Sequence, residues 1–369
     1  MRGRYFKAFF LITFMLSLLV FITPLEASEN TISYSGAQFV NEPKSKIEEP
    51  RIQDSIFDYS LFWVIAFGIT FFIALGVFYN YKTLKFNREI SKKNRELNTQ
   101  KDLVEEKNRA LVEINKQIQD SINYARYIQR SFLPSLEIMK NDLSDVFVLW
   151  EPRDGVGGDI YFYDSTKDGY ILAVIDCTGH GVPGGFITMI VGSALKSVKK
   201  DETLYQTPSE LLRFLNLNIK QQLNQNKPET LSDDGLDIGL CFVDRASKEI
   251  TYSGAKISLY YIQDGELNII KGDNHSIGYK KSNPQYEYKE HKLPYKEGRT
   301  FYLFSDGIID QGGGKKGFPF GNRRVVSLLK NLEEKEFENR GKVVLEELQK
   351  YQGDMKRRDD ITMIGFRID

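Results

Sequence analysis

Cysteine is nearly absent from this 369-residue chain. Cys177 and Cys241 are too few for a disulfide framework, and no CxxC pair exists for zinc or redox chemistry. Histidine is almost as scarce, with only His180, His275 and His291. A divalent-metal site would therefore draw on carboxylates, which favours magnesium or manganese over zinc. Net charge is missing as well: 50 basic residues balance 50 acidic ones. Nothing global marks a nucleic-acid partner, whose footprint is a basic patch. The length allows one sizeable domain plus accessory segments, and no repeat of solenoid type is present.

Charge is also absent from two long stretches. Ala8 to Leu25 follows Arg2, Arg4 and Lys7 and precedes the small residues Ala27 and Ser28. That is the layout of a secretory signal peptide over 1–27, and its length also admits an uncleaved first membrane helix. Residues 28–58 are polar, lack periodicity and are too short for a stable domain without staples. They read as a short exported segment that offers a partner a contact site. The second stretch, Tyr59 to Tyr81, is long enough at about 1.5 Å per residue to span the roughly 30 Å hydrocarbon core as a transmembrane helix. Trp63, Tyr79 and Tyr81 lie near its ends, where amphipathic rings favour the interface. Glu48, Glu49, Asp54 and Asp58 precede it and Lys82, Lys85 and Arg88 follow, so everything after Tyr81 is expected in the cytoplasm.

From Asn87 the character changes. Ile90, Leu97, Val104, Leu111 and Ile118 recur at every seventh position, and Ala125 and Phe132 continue the step. Four residues after the first five stand Asn94, Lys101, Asn108, Asn115 and Ile122. With the apolar set at d, the a positions are mostly polar, and asparagine at a favours a parallel two-stranded coil in fixed register at a cost in stability. The expectation is a dimeric coiled-coil linker over 87–133, stopped by Pro134; a solvated single helix is the alternative.

Beyond Asp145 the pattern is mixed. Strands are predicted at Val146–Trp150, Tyr170–Asp176, Asp237–Asp244, Glu249–Ser253, Ser258–Gln263, Glu266–Ile270, Thr300–Ser305 and Ile361–Ile368. Asp264-Gly265 is a hairpin turn signal. Helices are predicted at Val182–Lys199, Pro208–Gln225, Asn322–Leu332 and Glu336–Tyr351. Consecutive strands, rather than strict strand–helix alternation, predict antiparallel sheets flanked by helices, an α+β fold.

Aspartates sit at strand ends beside glycine. Asp159 follows Gly157-Gly158, Asp176 enters Cys177-Thr178-Gly179-His180-Gly181, Asp306 precedes Gly307, and Asp359 and Asp360 open the last strand. A lone aspartate in such a place is usually a turn residue. Several converging carboxylates would repel one another without cations, and hard oxygen ligands describe a magnesium or manganese site. Two such ions can activate water and clamp phosphoryl oxygens.

These blocks resemble the metal-dependent protein phosphatase (PPM, protein phosphatase 2C-like) family and its SpoIIE-like branch. The resemblance runs through EPRDGVGGDIYFYD (Glu151 to Asp164), VIDCTGHGVPGGFITMI (Val174 to Ile190), DGLDIGLCFVD (Asp234 to Asp244), YSGAK (Tyr252 to Lys256), LFSDGIIDQGG (Leu303 to Gly313) and RDDITMIGFRI (Arg358 to Ile368). It implies a phosphatase domain over 145–369 with an α–β–β–α sandwich. It also implies two Mn2+ or Mg2+ ions held by Asp159, Asp176, the backbone carbonyl of Cys177, Asp306 and Asp359, with Asp176 bridging and Asp360 a neighbour.

For the remaining polar residues two readings stand side by side. His180 serves either as general acid or as an anchor of its own turn. Arg153 either steadies a phosphate oxygen by its planar fork or is a surface charge. Asp237 and Asp244 are expected to serve turns. Gly185 stands where the family often has alanine, which predicts a looser helix start at about 0.5–1 kcal/mol. Asp310 to Gly314 lengthen the loop after Asp306 and offer a substrate-selecting loop or a plain flexible spacer.

The resemblance implies hydrolysis of phosphoserine or phosphothreonine on a regulatory protein, such as an anti-sigma-antagonist (STAS-type) domain. The enzyme would sit in a bacterial inner membrane, single-pass after signal cleavage, with the coil controlling its cytoplasmic phosphatase domain. The competing expectation is a non-catalytic phosphatase-fold module that binds a partner.

Overall fold

The computed structural model describes residues 52–198, 203–227 and 229–368. The signal peptide and most of the exported segment lie outside the described residues. The chain divides into two units, one ending at Arg95 and one beginning at Glu96.

One helix, α1 (Ile52–Phe132), covers both the apolar stretch and the heptad region. Lys82 to Phe86, unassigned in the sequence reading, are helical as well. In the first unit the apolar side chains from Leu61 onward are exposed, and the window of highest mean hydropathy (2.5) has no buried residue. In the second unit Leu97, Val104, Leu111 and Ile118 are likewise exposed. The row changes character at its end. Ile122 and Phe132 are half-buried, and the backbone of Gly192 lies against the Phe132 ring. The helix stops two residues before Pro134, whose ring and missing N–H exclude continuation.

The rest of the second unit is a four-layer α+β sandwich. After the short α2 (Leu136–Met139) come β1 (Val146–Glu151), β2 (Asp159–Ser165) and β3 (Gly169–Cys177). Helices α3 (Gly181–Val198), α4 (Thr203–Gln206) and α5 (Pro208–Gln222) follow, then β4 (Leu236–Asp244), β5 (Ile250–Ala255), β6 (Leu259–Gln263), β7 (Glu266–Ile270), β8 (His291–Leu293) and β9 (Thr300–Phe304). The chain closes with α6 (Gly307–Asp310), the two-residue strands β10 (Gly312–Gly313) and β11 (Phe318–Pro319), α7 (Gly321–Leu332), α8 (Arg340–Gln352) and β12 (Ile361–Arg367). One five-stranded sheet has the order β1-β12-β9-β6-β7 and the other β2-β3-β4-β5-β8. Every pairing in both is antiparallel.

Alternation along the strands sorts side chains into three cores. Leu172 and Val174 of β3 meet Leu303 of β9 and Ile364 of β12 between the sheets. Ile171, Ala173 and Ile175 point the other way, onto Val191 and Leu195 of α3 and Leu211 and Leu215 of α5. Phe147, Tyr302 and Phe304 face Leu328 of α7 and Val344 of α8. Helix α5 shows why: Pro208 occupies its first turn, where no N–H is missed. Its Leu211, Leu212, Leu215 and Ile219 then fall on one face and are fully buried, each contributing about 1.5–3 kcal/mol. The apolar α3 is a core helix by the same criterion.

Two expectations change here. Asp159 opens a strand, β2, that the sequence reading left out. Gly185 does not loosen α3: a Cβ there would stand 2.4 Å from Cγ1 of Val156, and one at Gly184 would stand 2.2 Å from the Gly179 carbonyl oxygen. The missing methyls let the helix start close onto the 156–158 and 177–179 loops.

Candidate metal centre

The register of three strands builds the site. Asp159 of β2 pairs with Asp176 of β3, and Asp176 pairs with Asp237 of β4. Directly paired residues share a face. All three have the parity of Leu172 and Val174, so the row lies on the inner face at one end of the sandwich. The other sheet meets it there with Ser305 and Asp306 after β9 and Asp359 and Asp360 before β12.

Contacts draw these groups together. Ser305 Oγ donates to Oδ2 of Asp159 at 2.5 Å, while the Thr362 N–H donates to the same Ser305 Oγ at 3.1 Å. The Trp150 indole N–H donates to the Asp159 carbonyl at 2.9 Å. Asp306 lies close enough to Asp176 for its charge to act on that carboxyl. Asp360 is nearly fully buried and accepts the Arg153 N–H at Oδ1 and the Gly158 N–H at Oδ2, both at 2.6 Å. Both its oxygens thus hold the 153–158 loop, whereas Asp359 is exposed beside it. Gly158 has no room for a Cβ, which would lie 2.1 Å from the Gly179 carbonyl oxygen and 2.8 Å from that of Cys177. The Cys177 carbonyl therefore stands against the loop that carries Asp159.

The electrostatics follow from this crowding. Burial, with the charges of Asp360 and Asp359, pushes the Asp159 carboxyl up to about 8 despite the Ser305 hydrogen bond. Burial and the neighbouring carboxylates Asp159, Asp306 and Asp359 hold Asp176 well above the carboxylate range. Asp306 is raised by burial, Asp310 and Asp359, and Asp237 by burial. Among the described residues no three acidic, imidazole or thiol groups stand in a ready-made coordination arrangement. The donor chemistry nevertheless fits a hard cation: oxygen ligands only, a buried repulsive cluster, and an Asp237 Oδ1 that is buried without a hydrogen-bond partner.

Asp237 is thus no turn residue; its place in the row corrects that expectation. Asp244 does serve a turn, accepting the Ser247 N–H at 2.7 Å. Arg153 turns its guanidinium to the Arg358 carbonyl at 3.1 Å and to Asp154 at 3.6 Å. His180 pairs through Nδ1 with Oδ2 of Asp154 at 2.7 Å. Sequence reasoning missed Asp154, Ser305 and Gln129, a buried residue of α1 that reaches the Gly157 backbone; none carries a local signal, since each partner lies far away in the chain.

A four-layer sandwich with carboxylates at the meeting end of its two sheets defines the metal-dependent PPM, or PP2C, class of phosphatases. The fold is similar to that of the SiaA-PP2C domain of Pseudomonas aeruginosa, with 37% identity and a TM-score of 0.61 over 69% of this chain and 98% of that one. The family described as Stage II sporulation protein E (SpoIIE) matches residues 166–369, more than half of the chain, and this chain belongs to that SpoIIE-like family. Phosphoserine phosphatase RsbU of Bacillus subtilis strain 168 is 22% identical over 198 residues, 53% of this chain and 56% of RsbU. The chain therefore matches little more than half the length of that relative. The family match begins after Asp159, so that residue's place rests on its pairing with Asp176.

Proposed function

We propose that this protein is a membrane-anchored phosphatase that removes phosphate from serine or threonine of a regulatory protein, using two Mn2+ or Mg2+ ions. The reading rests chiefly on one observation: Asp159 and Asp176 stand opposite each other on paired strands, with Asp306 of the facing sheet close enough to raise the Asp176 carboxyl. Asp159, Asp176, Asp306, Asp359 and the Cys177 carbonyl would hold the ions, Asp176 from the middle. When bound, the ions would activate a water for attack on phosphorus and draw charge from the phosphoryl oxygens. Asp360 keeps the loop before Asp159 in place, and Ser305 aims the Asp159 carboxylate.

The same reading assigns 59–81 to a membrane span, 87–133 to a parallel dimeric coil and 145–369 to a cytoplasmic phosphatase domain. A bacterial inner membrane is the implied location, with 1–27 as signal peptide and 28–58 exported. The row Leu97, Val104, Leu111 and Ile118, exposed in the single chain, supports a second copy as its cover. The proposed substrate is a phosphorylated regulator, such as a STAS-type domain; phosphoserine as the group removed is supported by the name of RsbU, a phosphoserine phosphatase. Arg153, once freed from Asp154, would be the phosphate-facing cation.

The test is phosphate release from a phosphoserine protein by the full chain in detergent with manganese. Wild type should turn over and Asp176→Asn should not. An active Asp176→Asn protein would sink the assignment. A chain that binds a phosphoprotein without turnover would instead be the non-catalytic module.

A further inference from the structure

We propose that the β10–β11 hairpin and the loop before Asp359 form a docking surface for an acidic segment of the phosphoprotein substrate, next to its phosphorylated residue. This inference rests on the hydrolase reading above. Residues 311–320 and 355–358 carry Lys315, Lys316, Lys356, Arg357 and Arg358 and no aspartate or glutamate, in a chain whose total charge is zero. Arg357 pairs with Glu151 at 3.5 Å. The other four are exposed. None of the three lysines has an ion-pair partner among the described residues, and the Arg358 guanidinium donates to an uncharged acceptor, the Asp310 carbonyl, at 3.3 Å.

The surface is pinned in place, not a free spacer. Gly312 pairs with Pro319 and Gly313 with Phe318, and Gly314 and Gly317 turn the tip at positive φ. The Gly314 N–H donates to the Tyr351 carbonyl at 2.9 Å. The Tyr351 hydroxyl in turn donates to the Phe318 carbonyl at 3.0 Å. Gln311 is fully buried and joins the two basic strips. Its side-chain NH2 donates to the carbonyls of Gly312 at 2.9 Å and Lys356 at 3.4 Å, and its oxygen accepts the Arg358 N–H at 3.2 Å. Between the cations Phe318 is 63% exposed and Met355 42%. Aromatic, methionine and arginine side chains are the ones enriched in protein interfaces.

Place and charge together select the occupant. Asp306 leads through the single turn of α6 into Gln311, and Arg358 directly precedes Asp359. A Cβ on Gly307 would stand 3.5 Å from that of Asp359, so the two approaches to the surface touch at the metal centre. A bilayer laid on these residues would also close over the exposed Asp359. A protein that brings its phosphate to the ions meets no such conflict, and its flanking carboxylates would lie against the unpaired ammonium groups. Rim charges of this kind steer encounter and choose between partners.

The test uses the full chain in detergent with manganese. Its substrates are p-nitrophenyl phosphate and paired phosphoserine peptides that differ only in a flanking run of glutamates or glutamines. Exposed charge pairs are individually weak, so wild type should favour the acidic peptide in kcat/KM by about tenfold, through KM and not kcat. Raised salt should remove most of that preference. The triple variant Lys315→Gln, Lys316→Gln, Lys356→Gln should treat both peptides alike, with wild-type turnover of the aryl ester and an unchanged melting temperature. Equal kcat/KM for the two peptides in wild type, or a preference that the triple variant keeps, would overturn the proposal. So would an equal loss on the aryl ester, which would place the effect in the metal centre. A wild-type preference present in phosphatidylcholine vesicles and lost in phosphatidylserine vesicles would assign the surface to lipid instead. A wild type inactive on every substrate with manganese bound would refute the hydrolase reading beneath, and the calorimetric affinities of the two peptides would still decide the docking surface.

Discussion

The side-chain amide of Gln129 meets both polar groups of the Gly157 backbone: its NH2 donates to the Gly157 carbonyl at 2.7 Å, and its oxygen accepts the Gly157 N–H at 3.2 Å. The same NH2 reaches Thr188 Oγ1 of α3 at 2.9 Å. The last turns of α1 are thereby tied to the loop that carries Asp159 and to the helix behind it. One residue on, the Arg130 guanidinium lies 5.9 Å from the Trp150 ring centre, and that ring's N–H holds the Asp159 carbonyl.

Gln129→Leu should leave two buried backbone groups unpaired, at about 1–3 kcal/mol in stability. It should also lower turnover at saturating manganese, because Gly157 and Gly158 lose their register against Asp360. Chemical denaturation and phosphate release on the same preparation check both effects. Normal turnover in a measurably destabilised protein would show that α1 does not bear on the site.

Removing metal should reverse the usual pH behaviour of a carboxylate-rich protein. Asp159, Asp176 and Asp306 have folded-state values raised above those of the unfolded chain. Their contribution is therefore fully present below the unfolded values near 4 and is lost as pH rises through the folded ones, which for Asp159 means to about 8. In chelator, unfolding free energy should fall from about pH 4 towards about pH 8, and saturating manganese should flatten that slope. Asp176→Asn should be flatter in chelator and should gain little from manganese. Melting curves across pH read each of these directly.

Gly185→Ala would gain helix propensity on an exposed helix. Here the added methyl meets Val156 at 2.4 Å, and overpacking of this kind costs about 1–3 kcal/mol. The variant should unfold at lower denaturant than wild type. A stabilised variant would mean that Val156 moves aside freely.

The coil makes a geometric prediction. A cysteine at Leu111, on the apolar row, should form a disulfide-linked dimer of the full chain on mild oxidation, while one at Glu106, on the outer face, should not. The native Cys177 and Cys241 are buried and leave the background low. Non-reducing electrophoresis decides it, and equal cross-linking at both positions would argue against a parallel seam.

Most strands and helices of the sandwich were legible because their side chains alternate or recur on one face, and Asp176, Asp306 and Asp359 stood out because each joins a strand to a polar turn. Three of the features that were not legible show why. β2 was masked because Tyr161, Tyr163 and Asp164 blur its alternation. Asp237 looked like a turn residue because the pairing that sets it beside Asp176 joins strands separated by α3, α4 and α5. Gly185 was read by helix propensity, whereas Val156, far away in the chain, decides its size. Register and close approach are long-range facts, and a local window does not contain them.

The carboxylates that would share the ions come from opposite sheets, Asp159 and Asp176 from one and Asp306 and Asp359 from the other. The distance between these two groups depends on how one sheet is seated on the other over the Leu172, Val174, Leu303 and Ile364 layer and on the Ser305–Asp159 hydrogen bond that crosses between them. With the proposed ligands as its jaws, the sandwich would act as a pair of calipers. A displacement smaller than a bond length anywhere along that apolar layer would reach the metals as a change of gap.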